Sequence, residues 1–185
     1  MIDGLPDGYP EPAQPPMPSV RYAILGNSGS GKSTLAHRLA AAGGLPVLDL
    51  DTIYWDPVEV TKERPAAERD TDLDRFLAAH DRWVIEGCYA DLIGRALRLR
   101  PTLIFLNLPV QTCLEHARRR PHEPHKFATR EEQDRLLEPL LRWIADYPLR
   151  EGVMSYSAHR AVFDTYAGPR HELTTPAEVD GFLND

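Results

Sequence analysis

Gly26-Asn27-Ser28-Gly29-Ser30-Gly31-Lys32-Ser33 is the stretch on which the fold turns. It satisfies G-x-x-x-x-G-K-[ST] without a gap, the pattern of a loop that wraps phosphate. Glycines let the chain turn tightly, so consecutive backbone N–H groups converge on one anion. A helix starting at the end of the loop adds its positive N-terminus. Lys32 then stands to bridge β- and γ-phosphates as a point charge, and the Ser33 hydroxyl to ligate Mg2+. Gly26, Asn27, Ser28, Gly29, Ser30, Gly31, Lys32, Ser33 and Thr34 are the expected cradle for ATP. A chain of 185 residues would carry the string by chance with a probability on the order of one in a hundred.

The surroundings agree with the loop. Residues 20–25 form a short β-favouring run ahead of it. Residues 33–42 read as a Leu- and Ala-rich helix closed by Gly43-Gly44. Further apolar runs occupy 45–50, 83–85 and 102–108, and 171–173 is a candidate fifth strand. Helical patterns cover 72–79, 89–99, 110–120 and 155–166. Two capping boxes, at Thr129 to Glu132 and at Thr175 to Glu178, start a helix reaching about residue 147 and a final helix packing Val179, Phe182 and Leu183 inward. Short, almost wholly apolar strands alternating with helices predict an α/β fold with a parallel sheet covered on both faces, a P-loop NTPase three-layer sandwich with a mainly helical C-terminal third.

Length and composition bound the rest. One domain is expected over residues 20–185, preceded by a tail, 1–19, whose six prolines leave it disordered or extended. Apolar residues make up 42 % and charged residues 26 %, as in ordinary globular proteins. A net charge of −7 is poorly suited to a phosphate backbone, which argues against general nucleic-acid binding. Cys88 and Cys113 lack metal or disulfide spacing. No apolar run approaches the ~18 residues of a membrane span, and no basic start leads into an apolar stretch, so the expected location is cytoplasmic.

The acidic residues narrow the chemistry. No guanine-reading N-K-x-D is present, and the D-x-x-G of Asp91 to Gly94 falls inside a helical pattern. The run at 45–50 ends in Asp49-Leu50-Asp51, and the next ends in Glu86-Gly87. Carboxyl ends of strands face the ligand crevice in such sheets. Alternation along a strand would put Asp49 and Asp51 on one face. One carboxylate then orients water around Mg2+ while the other takes the proton of an acceptor hydroxyl. We assign the base to Asp51, and the Mg2+ side, through water, to Asp49 and Glu86.

Three segments together, Gly26 to Ala36, Leu48 to Pro57 (Leu-Asp-Leu-Asp-Thr-Ile-Tyr-Trp-Asp-Pro) and Trp83 to Tyr89 (Trp-Val-Ile-Glu-Gly-Cys-Tyr), resemble the adenylate-kinase-like P-loop kinases. The most similar group is the small bacterial set labelled adenylate kinase or DNA topology modulation protein, with the similarity running over about residues 20–183. The resemblance implies ATP and Mg2+ as cofactors, a five-stranded parallel sheet and a mobile lid. The chain departs from that pattern twice. Glu86 stands where the family usually has Asp, and the Asp-Gly-Phe-Pro-Arg of true adenylate kinases is absent, so AMP is not implied as acceptor.

Arg118-Arg119-Arg120 followed by Pro121 to Lys126 has the position of a helical lid over residues 118–130. Cations brought over the migrating charge on closure speed phosphoryl transfer, which makes Arg118 and Arg119 candidate catalytic residues beside Lys32, Asp51 and Asp49. His122 and His125 lack a third metal ligand nearby. For the acceptor, Tyr54, Trp55, Arg64 and Arg69 follow Asp51, and Tyr89, Arg95 and Arg98 follow Glu86. The expected activity is ATP-dependent phosphoryl transfer to a small-molecule or nucleotide acceptor. The alternative is a regulatory ATPase that acts through a protein partner.

Overall fold

The computed structural model describes residues 20–59, 62–122 and 129–183. The proline-rich stretch 1–19, and residues 123–128 of the expected lid with His125, lie outside the described residues. Strands β1 (Arg21–Gly26), β2 (Val47–Asp49), β3 (Trp83–Gly87), β4 (Thr102–Leu106) and β5 (Arg170–Leu173) form one sheet in the order β2-β3-β1-β4-β5. Every neighbouring pair is parallel, and β1 is central. The helices in chain order are α1 (Lys32–Gly43), α2 (Asp51–Tyr54), α3 (Ala66–Ala79), α4 (Ala90–Ala96), α5 (Val110–Arg118), α6 (Arg130–Arg135), α7 (Leu137–Ala145), α8 (Tyr156–Thr165) and α9 (Pro176–Phe182).

Alternation along the buried strands produces the three layers. Ala23, Leu25, Trp83, Ile85, Leu103 and Phe105 face Leu73 of α3, Leu92 and Ile93 of α4 and Phe163 of α8. Ile24, Val84, Ile104 and Leu106 face Leu35 and Ala36 of α1 and Val179 and Phe182 of α9. Burying each large apolar side chain contributes ~1.5–3 kcal/mol, so both faces must be covered for the sheet to persist. A smaller cluster, with Leu108, Cys113 and Ala117 against Leu141 and Ile144, fastens α7 to α5 and brings the C-terminal third beside the phosphate loop.

Register sets the site. Gly26 pairs with Leu106, Leu25 with Gly87 and Asp49 with Glu86, so β1, β2 and β3 end together at one edge of the sheet. The structure departs from the sequence reading in four places. Helix α3 starts at Ala66, six residues early, because Pro65 ends the preceding extended segment and Ala66-Ala67-Glu68 carries no apolar period to reveal it. The 89–99 helix narrows to α4 plus a single 3-10 turn at Leu97–Leu99. The 129–147 helix divides at Leu136, and Pro139 falls in the first turn of α7, where its missing N–H is harmless. Finally, β2 stops at Asp49, and Leu50 turns the chain into α2.

Candidate active site

The phosphate loop links β1 to α1 as expected. Gly29 and Gly31 have φ of 76° and 91°, which L side chains rarely adopt, and a Cβ on Gly29 would collide with the Cys113 carbonyl. Lys32 Nζ donates to the Asn27 carbonyl at 3.0 Å, and Ser30 N–H to the same carbonyl at 3.2 Å. Ser30 Oγ is buried without a hydrogen-bond partner. His116 of α5 donates from Nδ1 to the Gly29 carbonyl at 2.9 Å, since a carbonyl only accepts.

Around the loop opens a cleft of about 830 Å³. Its walls include residues 28–35 of the loop and α1, Asp51 and Trp55 of the α2 segment, and Glu86 and Cys88 at the end of β3. Arg118, Arg119 and Arg120 at the end of α5 also line it, with Arg130 of α6. Arg130 is held by Asp134 at 2.8 Å, and Gln133 Nε2 donates to the Pro121 carbonyl at 3.0 Å, tying α6 to the chain just beyond α5.

Of the three carboxylates, Asp51 and Glu86 line the cleft, and the placement of Asp51 differs from the sequence reading. Asp51 is not on β2, so strand alternation does not place it beside Asp49. Instead Leu50 is the N-cap of α2, Asp51 is the first residue of that helix and lines the cleft, and Asp49 Oδ1 accepts from the Asp51 N–H at 2.9 Å. Asp51 lines the cleft, whereas Asp49 is set back behind it. Glu86 is 3 % exposed, and burial pushes its carboxyl above the ordinary carboxylate range. The Lys32 charge and a hydrogen bond from Ser33 pull the other way, while the charges of Asp49 and Asp51 push it further up. Ser33, Glu86 and Asp49 offer only hard oxygen donors, the type Mg2+ takes. Among the described residues no group of three acidic, His or Cys side chains converges tightly enough to hold a metal directly. The donor set therefore suits an Mg2+ held mainly through water and phosphate oxygens.

The expected acceptor side chains are mostly engaged elsewhere. Tyr54 is 2 % exposed, stacked between Tyr89 at 3.9 Å and the Arg69 guanidinium at 4.1 Å, so neither ring face is open to a ligand. Arg64 is bound to Asp72 at 2.8 Å and to the Ile53 carbonyl. Arg95 pairs with Asp70 and Asp74, and Arg98 with Asp74, fastening α4 to α3 away from the cleft. Asp91 to Gly94 lies within α4. Trp55 alone of this group lines the cleft.

One cation escaped the sequence reading. Arg150 follows α7, lies over the Trp143 ring at 3.7 Å, and donates from Nη2 to Asn27 Oδ1 at 3.2 Å. Its Nε and Nη1 are buried without hydrogen-bond partners. In sequence, spacings of four and three from Trp143 through Tyr147 to Arg150 suggest one helical face, but α7 ends at Ala145 and the turn beyond it brings Arg150 back over Trp143.

The chain matches the AAA domain family over residues 23–138, more than half its length, and belongs to that family. Among solved structures it is similar to a sugar kinase from Janibacter sp. HTCC2649, unliganded, at 18 % identity and a TM-score of 0.54, covering 90 % of this chain and 94 % of that one. It is also similar to a shikimate kinase from Acinetobacter baumannii in complex with shikimate, at 18 % identity and a TM-score of 0.53, covering 90 % of each chain. At that identity the likeness is one of fold. No curated protein matches the sequence. Among the described residues no helix is long and apolar enough to cross a membrane.

Proposed function

We propose that this chain transfers the γ-phosphoryl group of ATP to a small-molecule or nucleotide acceptor. The observation that carries the reading is the meeting of Lys32, Asp51 and Glu86 at one cleft edge, from the ends of three adjacent strands, opposite the arginines of the lid. A binding module needs the cradle only, whereas transfer also needs a base beside it.

The residues divide the work as follows. Residues 26–34 hold the ATP phosphates through backbone N–H groups, and Lys32 leaves the Asn27 carbonyl to meet the β- and γ-oxygens. Ser33, with Glu86 and Asp49 through water, would hold Mg2+, which would supply charge neutralisation at those oxygens. Asp51 accepts the acceptor's hydroxyl proton as its oxygen bonds to the γ-phosphorus and the bond to the bridging oxygen of ADP breaks. Arg118 and Arg119 from the lid, residues 118–130, offset charge on the equatorial oxygens. Arg150 reaches the same loop from the other side. On the motifs alone we read the chain as kin to the small bacterial group labelled adenylate kinase or DNA topology modulation protein, and the cytoplasm, with its ATP and Mg2+, as its working location.

A screen for ADP release in the presence of Mg2+ and nucleosides, nucleotides, sugars or hydroxy acids tests the reading. One acceptor class should raise ADP release far above the acceptor-free rate. If none raises it above that of the Lys32→Ala variant, the transferase reading falls.

A further inference from the structure

Asp51 opens α2, and Tyr89 immediately precedes α4 at the exit of β3. They meet through one short contact: the Tyr89 hydroxyl donates to Asp51 Oδ1 at 2.6 Å. The same hydroxyl oxygen accepts from Trp55 Nε1 at 2.7 Å. An indole N–H only donates, so the phenol oxygen must accept from Trp55 and its single proton must go to Asp51. The order Trp55 to Tyr89 to Asp51 is thereby fixed. Tyr89 is 1 % exposed, with its ring stacked on Tyr54 at 19° between planes, and that stack is backed by Arg69. Burial also raises the phenol far above its ordinary range, so it stays a donor.

We propose that Tyr89 is the positioning residue for Asp51: its hydroxyl, oriented by Trp55, holds one carboxylate oxygen so that the group faces the cleft. The inference rests on reading Asp51 as the base for the acceptor hydroxyl. A carboxylate on a freely rotating side chain would spend most of its time misdirected, and a base even 1 Å out of place is a poor one. Adding the indole donor behind the phenol strengthens the phenol as a donor. The other titratable or charged groups facing Asp51 are Asp49 from β2, Glu86 and Cys88 from the end of β3, and, acting on that cluster, Lys32 from α1 and Arg150 beyond α7. Tyr89 touches the carboxylate through a directed hydrogen bond.

The test compares full-length wild type, Tyr89→Phe, Trp55→Phe and Asp51→Asn by steady-state ADP release with Mg·ATP and the acceptor class found by the screen above. Tyr89→Phe, which keeps the ring stack, should lower kcat about tenfold while the KM for Mg·ATP stays within about twofold, since the phosphate loop is untouched. Trp55→Phe should lower kcat in the same direction by less. A kcat in Tyr89→Phe within about twofold of wild type would overturn the proposal. Should Tyr89→Phe not fold, Trp55→Phe decides alone, and an unmoved kcat there overturns it equally. Undiminished ADP production by Asp51→Asn would instead sink the base assignment, so the two failures are distinguishable.

Discussion

Arg150 Nη2 donates to Asn27 Oδ1 at 3.2 Å, across 123 positions of sequence, and Asn27 Nδ2 donates in turn to the Ile144 carbonyl at 3.1 Å. The second residue of the phosphate loop therefore fastens the end of α7 and the turn beyond it. Helix α7 is thereby tied to the loop, and an arginine is held at the loop's edge.

That arginine has a cost in the fold. Burial lowers its affinity for its proton, and two of its donors lack partners. Arg150→Met, which keeps the stem on Trp143, should leave thermal stability unchanged or raise it by up to ~1 kcal/mol, because a poorly satisfied buried charge is removed. Turnover should fall by ~10²-fold if the free N–H groups serve the transferring phosphoryl group. Calorimetry and steady-state kinetics on one preparation check both halves. A destabilised variant with full turnover would make Arg150 purely structural.

Lys32→Ala should abolish ATP use and leave the fold intact. Lys32 donates to a loop carbonyl rather than packing in the core. Full ADP production by the folded variant would remove Lys32 from the mechanism.

Neutralising Arg118, Arg119 or Arg120 singly should, at one position at least, lower kcat far more than it weakens ATP binding. Residues 118–122 and 129–135 should gain protection from hydrogen exchange when ATP and an acceptor are both bound. If all three replacements leave kcat within about twofold, a margin of ~0.4 kcal/mol, the arginines are a solvated helix end and no lid.

His159 gives the fold a pH signature. It is fully buried, donates from Nε2 to the Cys88 carbonyl at 2.8 Å and accepts from the Tyr147 hydroxyl at 2.7 Å. Burial holds its pKa down at about 4, below the ordinary 6.5. The unfolded chain takes up a proton below pH 6.5 that native His159 refuses, so its contribution is complete above that pH. The contribution is lost as pH falls from 6.5 towards 4 and changes no further below. The loss is on the order of 3 kcal/mol. Denaturant melts of wild type and His159→Gln across this window should differ in slope, and parallel curves would contradict the assignment.

The sheet and the phosphate loop were legible because their signals are local: a gapless glycine-lysine pattern and short apolar runs bounded by turns. Leu50 extends the apolar run and so puts Asp51 on β2 in the sequence reading, whereas the bond from the Asp51 N–H to Asp49 Oδ1, which accompanies the turn into α2, leaves no periodic signal. Arg64, Arg69, Arg95 and Arg98 looked like acceptor ligands because sequence shows charges without their partners. Asp70 and Asp74 sit 25 and 21 positions from Arg95 and meet it only once α3 packs on α4. Arg150 and Tyr89 acquire their meaning from Asn27 and Asp51, contacts that only the closed fold creates.

The fate of the γ-phosphate tests the central claim most directly. Protein, Mg2+, ATP and a pool of small metabolites can be followed together by 31P NMR. The account predicts a new phosphoester resonance that grows in step with ADP and is absent with Lys32→Ala. Inorganic phosphate rising one for one with ADP, with no phosphoester formed from any acceptor supplied, would contradict it.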